Sequence, residues 1–188
     1  QLRSVEPTLA GSRVLCVGKY REKNGQDVLG EALQSVDADI TVDFVGPDTE
    51  MIEGGQRVRT HGFVSETRLI ELFKSAALVV FPAPVGAFPV ATLEGLCAGL
   101  PVLTTHGVGT ATLIRAVDGH LISDATPTAM ARAVDWYFSL STDERERLGR
   151  RATNYGSGFD ETAGLEGFAF EFENLLDELG YDWSTTNV

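Results

Sequence analysis

Hydrophobic positions along this chain alternate between two periods. Short runs, apolar at nearly every position, stand at Arg13–Gly18 (RVLCVG), Ile40–Gly46 (ITVDFVG), Ala77–Pro82 (ALVVFP), Pro101–Thr105 (PVLTT) and His120–Ser123 (HLIS). Runs without a polar face predict strands covered on both sides, the habit of parallel sheets. A weaker strand is predicted at Gln56–Gly62. Helical spacing lies between them. Val28, Leu29, Ala32, Leu33 and Val36 mark one face, and Leu69, Leu72, Phe73 and Ala76 another, behind a Ser65 cap. Thr126 followed by Pro127 predicts a helix start, with Met130, Ala133, Val134 and Tyr137 as its buried stripe. Ser141 and Glu144 have the spacing of a capping box. A last helix, within 161–180, is predicted from Leu165, Phe168, Phe172, Leu175, Leu176 and Leu179.

Strand and helix alternate about six times, which predicts an α/β fold, a doubly wound, Rossmann-like parallel sheet. No internal repeat or low-complexity linker divides residues 1–188, so one domain is expected, with its core at 13–160. In such sheets ligands bind beyond the carboxyl ends of the strands, where the connections reverse. The loops starting near Gly18, Gly46, Gly62, Pro82 and Thr105 therefore carry the expected chemistry. Glycines there let backbone amides approach an anion at the start of the next helix.

Composition narrows the ligand. Twenty-seven Asp and Glu face fifteen Lys and Arg, a formal net charge of -12. This acidic protein would be repelled by nucleic acid and by anionic membrane. No apolar run approaches membrane-spanning length, and a cytoplasmic protein is expected. Cys16 and Cys97 lie in apolar segments and read as buried free thiols. No G-x-G-x-x-G follows the first strand, where GKYREKNG stands, and no G-x-x-x-x-G-K-[ST] occurs. Those absences argue against a dinucleotide cofactor site and an ATPase loop. No carboxylate or histidine cluster has ligand spacing, so no metal is expected.

The most specific stretch is FPAPVGAFPVATLEGLCAGLPVL, Phe81–Leu103. It resembles the C-terminal domain of the group 1 (family 4) retaining glycosyltransferases with the GT-B fold. The resemblance extends to RVLCVGKYREKNGQDVLGEAL, DFVGP, RTHGFVSETRLIELFKSAALVVFP, VGTATLI and DGHLIS, about residues 13–180. It implies the donor-binding half of a hexosyltransferase, with a nucleotide-diphosphate sugar as substrate and no cofactor. The acceptor-binding N-terminal domain would lie on the same enzyme or a partner chain, and would supply any peripheral membrane attachment. Without it, the isolated domain is expected to be inactive.

The resemblance also implies roles by position. Lys19, beside Gly18, takes the place of a phosphate-binding arginine, and Glu94 that of a ribose-binding glutamate. Gly86, Ala87, Phe88, Pro89, Val90 and Ala91 would surround the sugar and diphosphate. His61, Gly62, Phe63 and Val64 would edge the base, with Gly46 beside them. Lys23 and Asn24 occupy the place of the family's Lys-Gly helix start, with the lysine one position early. Three positions depart from the family: Gly86 and Thr112 replace glutamates, and Asn24 replaces the lysine. They leave open a second reading, a degenerate module that binds a partner and transfers nothing. A phosphorylase half would need a cofactor lysine, and no lysine lies beyond Lys74. The resemblance assigns no catalytic residue to this half.

Overall fold

A computed structural model of the chain describes residues 2, 5–52 and 55–158. Gln1–Gly156 cluster as one compact unit and Ser157–Val188 as a second. The helix expected at 161–180 lies outside the described residues. Among the described residues six strands form one sheet: β1 (Arg13–Val17), β2 (Thr41–Val45), β3 (Val58–Thr60), β4 (Leu78–Phe81), β5 (Val102–Thr105) and β6 (Ile122–Ser123). Every pairing is parallel, in the order β3-β2-β1-β4-β5-β6.

Burial explains the unbroken apolar runs. Val14, Leu15 and Cys16 of β1, and Leu78, Val79 and Val80 of β4, are all buried although neighbours point to opposite faces. Helices cover both faces: α1 (Gln26–Ala32), α2 (Glu66–Ser75), α3 (Val90–Cys97), α4 (Ala111–Val117), α5 (Pro127–Ser139) and α6 (Thr142–Gly156). Helix α1 packs with α5, while α3 and α4 pack with α6. The expected caps are in place. Ser65 Oγ accepts from Arg68 N at 3.3 Å, and Thr126 Oγ1 from Ala129 N at 3.3 Å. Ser141 and Glu144 close a capping box, with Glu144 Oε2 accepting from Ser141 N at 2.8 Å and Ser141 Oγ from Glu144 N at 3.4 Å.

Two strands are shorter than their apolar runs. The first half of His120–Ser123 is taken by a 3-10 turn, Gly119–Leu121, because Asp118 accepts from His120 N at 2.9 Å. The start of the Gln56–Gly62 run is likewise a 3-10 turn, and Gly62, at φ 58°, leaves the strand region at its end. Helix α4, seven residues long, buries Ala111, Ile114 and Val117, a stripe not marked along the chain. Among the described residues no helix is long and apolar enough to cross a membrane. Burial pushes the Cys16 thiol up to about 12. Cys97 is partly buried and donates to Gly156 O at 3.3 Å.

Arg145 of α6 joins three segments. Its guanidinium donates to Leu9 O at 3.4 Å, Gly11 O at 3.2 Å and Phe138 O at 2.6 Å, and lies over the rings of Tyr137 and Phe138. Tyr137 OH in turn donates to Ala77 O at 2.5 Å, just ahead of β4. Arg145→Ala leaves these carbonyls without their charged donor. It should cost about 2–4 kcal/mol in urea unfolding. A loss below about 0.5 kcal/mol would show that the clamp is incidental.

Candidate functional site

Strand β1 pairs with β2 on one side and β4 on the other, and the connections after β1 and after β4 run in opposite directions, toward β2 and toward β5. The crevice beyond the carboxyl ends of β1 and β4 is the topological switch point of the sheet. Two loops flank it, Gly18–Gly25 after β1 and Pro82–Pro89 after β4. They touch at Gly25, which has φ 70° and where a methyl group would overlap the Pro82 carbonyl. Only glycine meets both demands.

The first loop is braced from within. Gln26, 1% exposed, donates through Nε2 to Gly18 O at 3.2 Å and Lys19 O at 3.0 Å. Asn24 Nδ2 donates to the same Lys19 carbonyl at 2.8 Å. Gly18 N and Tyr20 N donate to Val45 O and Pro47 O, which ties the loop to the end of β2. Asn24 thus holds the loop's backbone, while Lys23 sits exposed on the 3-10 turn Glu22–Asn24. The ammonium of Lys19, half-exposed at the mouth, lies 3.0 Å from Asp48 Oδ2.

A small, largely apolar cavity of about 210 Å³ opens beside Lys19. Five of the expected site residues line it: Gly18, Lys19, Gly46, Phe63 and Val64. Gly62 shapes its wall, accepting from Gly46 N at 2.8 Å and donating to Thr49 Oγ1 at 3.1 Å. His61 faces elsewhere. Its Nε2 is 2.7 Å from Oδ1 of Asp43, a buried carboxylate that Arg13 also holds, at 2.9 and 2.7 Å. His61 thereby anchors the loop that carries Phe63 to the interior of β2. A cavity of about 760 Å³ lies along α1, lined in part by Asp27 and Glu31. None of the expected site residues lines it.

The second loop is pinned by β5 and by the loop after it. Thr104 Oγ1 donates to Phe81 O at 2.9 Å and Thr105 Oγ1 to Ala83 O at 2.5 Å. Gly86 N donates to Gly107 O at 3.2 Å, and Gly109 N to Gly86 O at 2.7 Å. A methyl group on Gly109 would overlap the Ala87 carbonyl. Gly86 itself is under no such demand: a methyl there would meet only ordinary contacts, the nearest Pro89 Cγ at 3.5 Å. Pro89 opens α3 without a side-chain cap, so the amides of Val90 and Ala91 begin an uncapped helix. Thr92 is buried and donates to Pro89 O at 2.7 Å. Val85, Phe88 and Val90 are largely exposed along this rim. Thr112 is exposed on the first turn of α4.

Glu94 lies one turn into α3, which packs close to the sheet because Gly95 has no side chain to meet Val102 and Val79. Its carboxyl is partly buried, with no ion-pair or hydrogen-bond partner among the described residues. Desolvation therefore raises its pKa above the ordinary carboxylate range. Sequence reasoning passed over Gln26, Asp48, Thr104 and Thr105. Gly46-Pro47-Asp48 carries a turn signal, but nothing local shows which lysine its carboxylate reaches.

A parallel sheet in this order, with glycine-built loops at its switch point, defines a Rossmann-like α/β domain. The chain belongs to the group 1 glycosyl transferases, whose family model matches residues 11–139. It is 30% identical over 103 residues to the D-inositol 3-phosphate glycosyltransferase of Streptomyces griseus, a match covering 54% of this chain and 22% of that protein. The catalytic domain of the Helicobacter pylori cholesterol-alpha-glucosyltransferase superposes with a TM-score of 0.70 at 23% identity, over 79% of this chain and 98% of that one. Anabaena Alr3699/HepE, in complex with UDP and glucose, superposes at 0.73 with 16% identity, over 87% of this chain and 48% of that one. At these identities the superpositions show the fold, and this chain matches about half the length of the Anabaena protein.

The raised Glu94 pKa has a consequence for stability. Folding favours the protonated carboxyl, so its contribution is fully present below the unfolded pKa and is lost as pH rises through the folded one. Glu94→Gln should therefore melt above wild type at pH 7 in the absence of ligand. The gap should close as the pH falls below the ordinary glutamate range. A variant that melts lower at pH 7 would contradict the desolvation account.

Proposed function

We propose that this domain binds the nucleotide-diphosphate sugar donor of a glycosyltransferase, for retaining hexose transfer once an acceptor-binding domain covers the crevice. The observation that carries this reading is Glu94. A partly buried carboxylate with no partner among the described residues is costly, and it stands on the helix that opens at the switch point. Two ribose hydroxyls would supply the missing donors. The apolar cavity beside Gly46, Phe63 and Val64 suits one face of a flat base. Lys19, and Lys23 on its exposed turn, offer cations to the diphosphate, and the uncapped start of α3 offers amides.

In the reaction this domain's task is departure of the leaving group. Charge builds on the diphosphate as the glycosidic bond breaks, so the cations and amides that bind it in the ground state bind it more strongly in the transition state. The pinned loop Pro82–Pro89 would hold the sugar with little reorganisation. Retention is the stereochemistry the family resemblance implies. The structure of the Anabaena relative with UDP and glucose supports a nucleotide and a hexose as the paired ligands.

Titration calorimetry with uridine, guanosine and adenosine diphosphates and their hexose conjugates tests this reading. At least one should bind, and Glu94→Ala should weaken it by about 1–3 kcal/mol, the range for losing hydrogen bonds to a charged group. If no nucleotide binds at millimolar concentration the donor-site reading fails. An unchanged dissociation constant in the variant removes the ribose role alone.

A further inference from the structure

Asp48 is where the crevice is least like a finished phosphate site. It is the one non-glycine residue with positive φ among the described residues, at φ 65° and ψ 8°. An aspartate heading a turn ordinarily turns its carboxylate onto its own backbone. Here the 3-10 turn that follows, Thr49–Met51, receives no side-chain cap from Asp48. The carboxylate instead crosses to the neighbouring loop and pairs with Lys19 Nζ at 3.0 Å.

The left-handed backbone is held on both sides. Pro47 accepts from Tyr20 N at 2.9 Å, and buried Thr49 donates through Oγ1 to Gly46 O at 2.9 Å. Gly46 and Pro47 also line the cavity beside Lys19. The strained residue is thus fixed at the mouth of the proposed donor site, with its charge on the cation that the diphosphate would use.

We infer that Asp48 is an internal competitor for the donor's diphosphate, an affinity-setting residue that occupies Lys19 while the crevice is empty; this rests on the donor-site reading above. A diphosphate entering the crevice must take Lys19 from a carboxylate and then lie beside a like charge. Both effects weaken binding and speed release of the charged product. The pair is half-exposed, so competition is modest and screened by salt.

The test is calorimetry at low salt with the tightest-binding diphosphate of the panel, on the whole chain. Asp48→Asn is the variant of choice because asparagine tolerates the left-handed backbone. It should bind about three- to tenfold more tightly than wild type, with the gain shrinking as salt is raised. In a Lys19→Gln background the same substitution should give little gain. If wild type binds and Asp48→Asn leaves the affinity unchanged or weaker, this inference is overturned while the donor-site reading stands. A gain that persists undiminished without Lys19 also overturns it. If neither wild type nor variant binds any of the diphosphates, the donor-site reading falls and takes this inference with it.

Discussion

Because β1 bonds to β2 on one edge and to β4 on the other, the chain must cross β1 between β3 and β4. The connections on the two sides of that crossing diverge and leave an open crevice above the carboxyl ends of β1 and β4. Everything proposed for this domain depends on that gap. The loops that flank it approach closely at Gly25, whose backbone lies against the Pro82 carbonyl of the other. A side chain at Gly25 would have to push the two loops apart.

The crevice is walled by backbone held from behind. Threonines of β5 donate to Phe81 and Ala83, Gly86 is tied on both sides to the loop after β5, and Thr92 secures Pro89. On the β1 side, Gln26 and Asn24 hold the Lys19 carbonyl. These bonds act on the backbone, so the scaffold is held while the side chains it presents can vary. Gly86 illustrates the freedom. No steric demand makes it glycine, and the carboxylate that the family resemblance places there is absent.

The charged groups nearest the crevice are held in two different conditions. Glu94 is desolvated with no partner among the described residues, and Lys19 is neutralised by a residue with left-handed backbone. The first arrangement disfavours the empty domain slightly and would be relieved by a ligand that offers hydroxyls, whereas the second withholds Lys19 from a diphosphate until Asp48 is displaced. Binding sites commonly accept a cost such as that of Glu94, because a group left unsatisfied keeps its hydrogen-bonding capacity for a ligand.

Much of this was legible along the chain. Unbroken apolar runs predicted five strands, because a strand buried on both faces has no polar alternation to show. Ser65, Thr126 and the Ser141–Glu144 pair marked helix starts, since capping is a contact between residues three apart. Short pieces escaped. Helix α4 buries a stripe of three side chains, Ala111, Ile114 and Val117, easily lost beside longer ones, and a 3-10 turn capped by Asp118 took half of an apolar run. The sequence by itself determined the layers, the positions of the loops and the family. Only the tertiary structure decided that His61 serves Asp43, that Asn24 serves the backbone of Lys19, and that Asp48 holds its ammonium. Those contacts join residues brought together by sheet order and loop shape, and no local pattern of polar and apolar positions encodes which of several nearby partners a charged side chain will find.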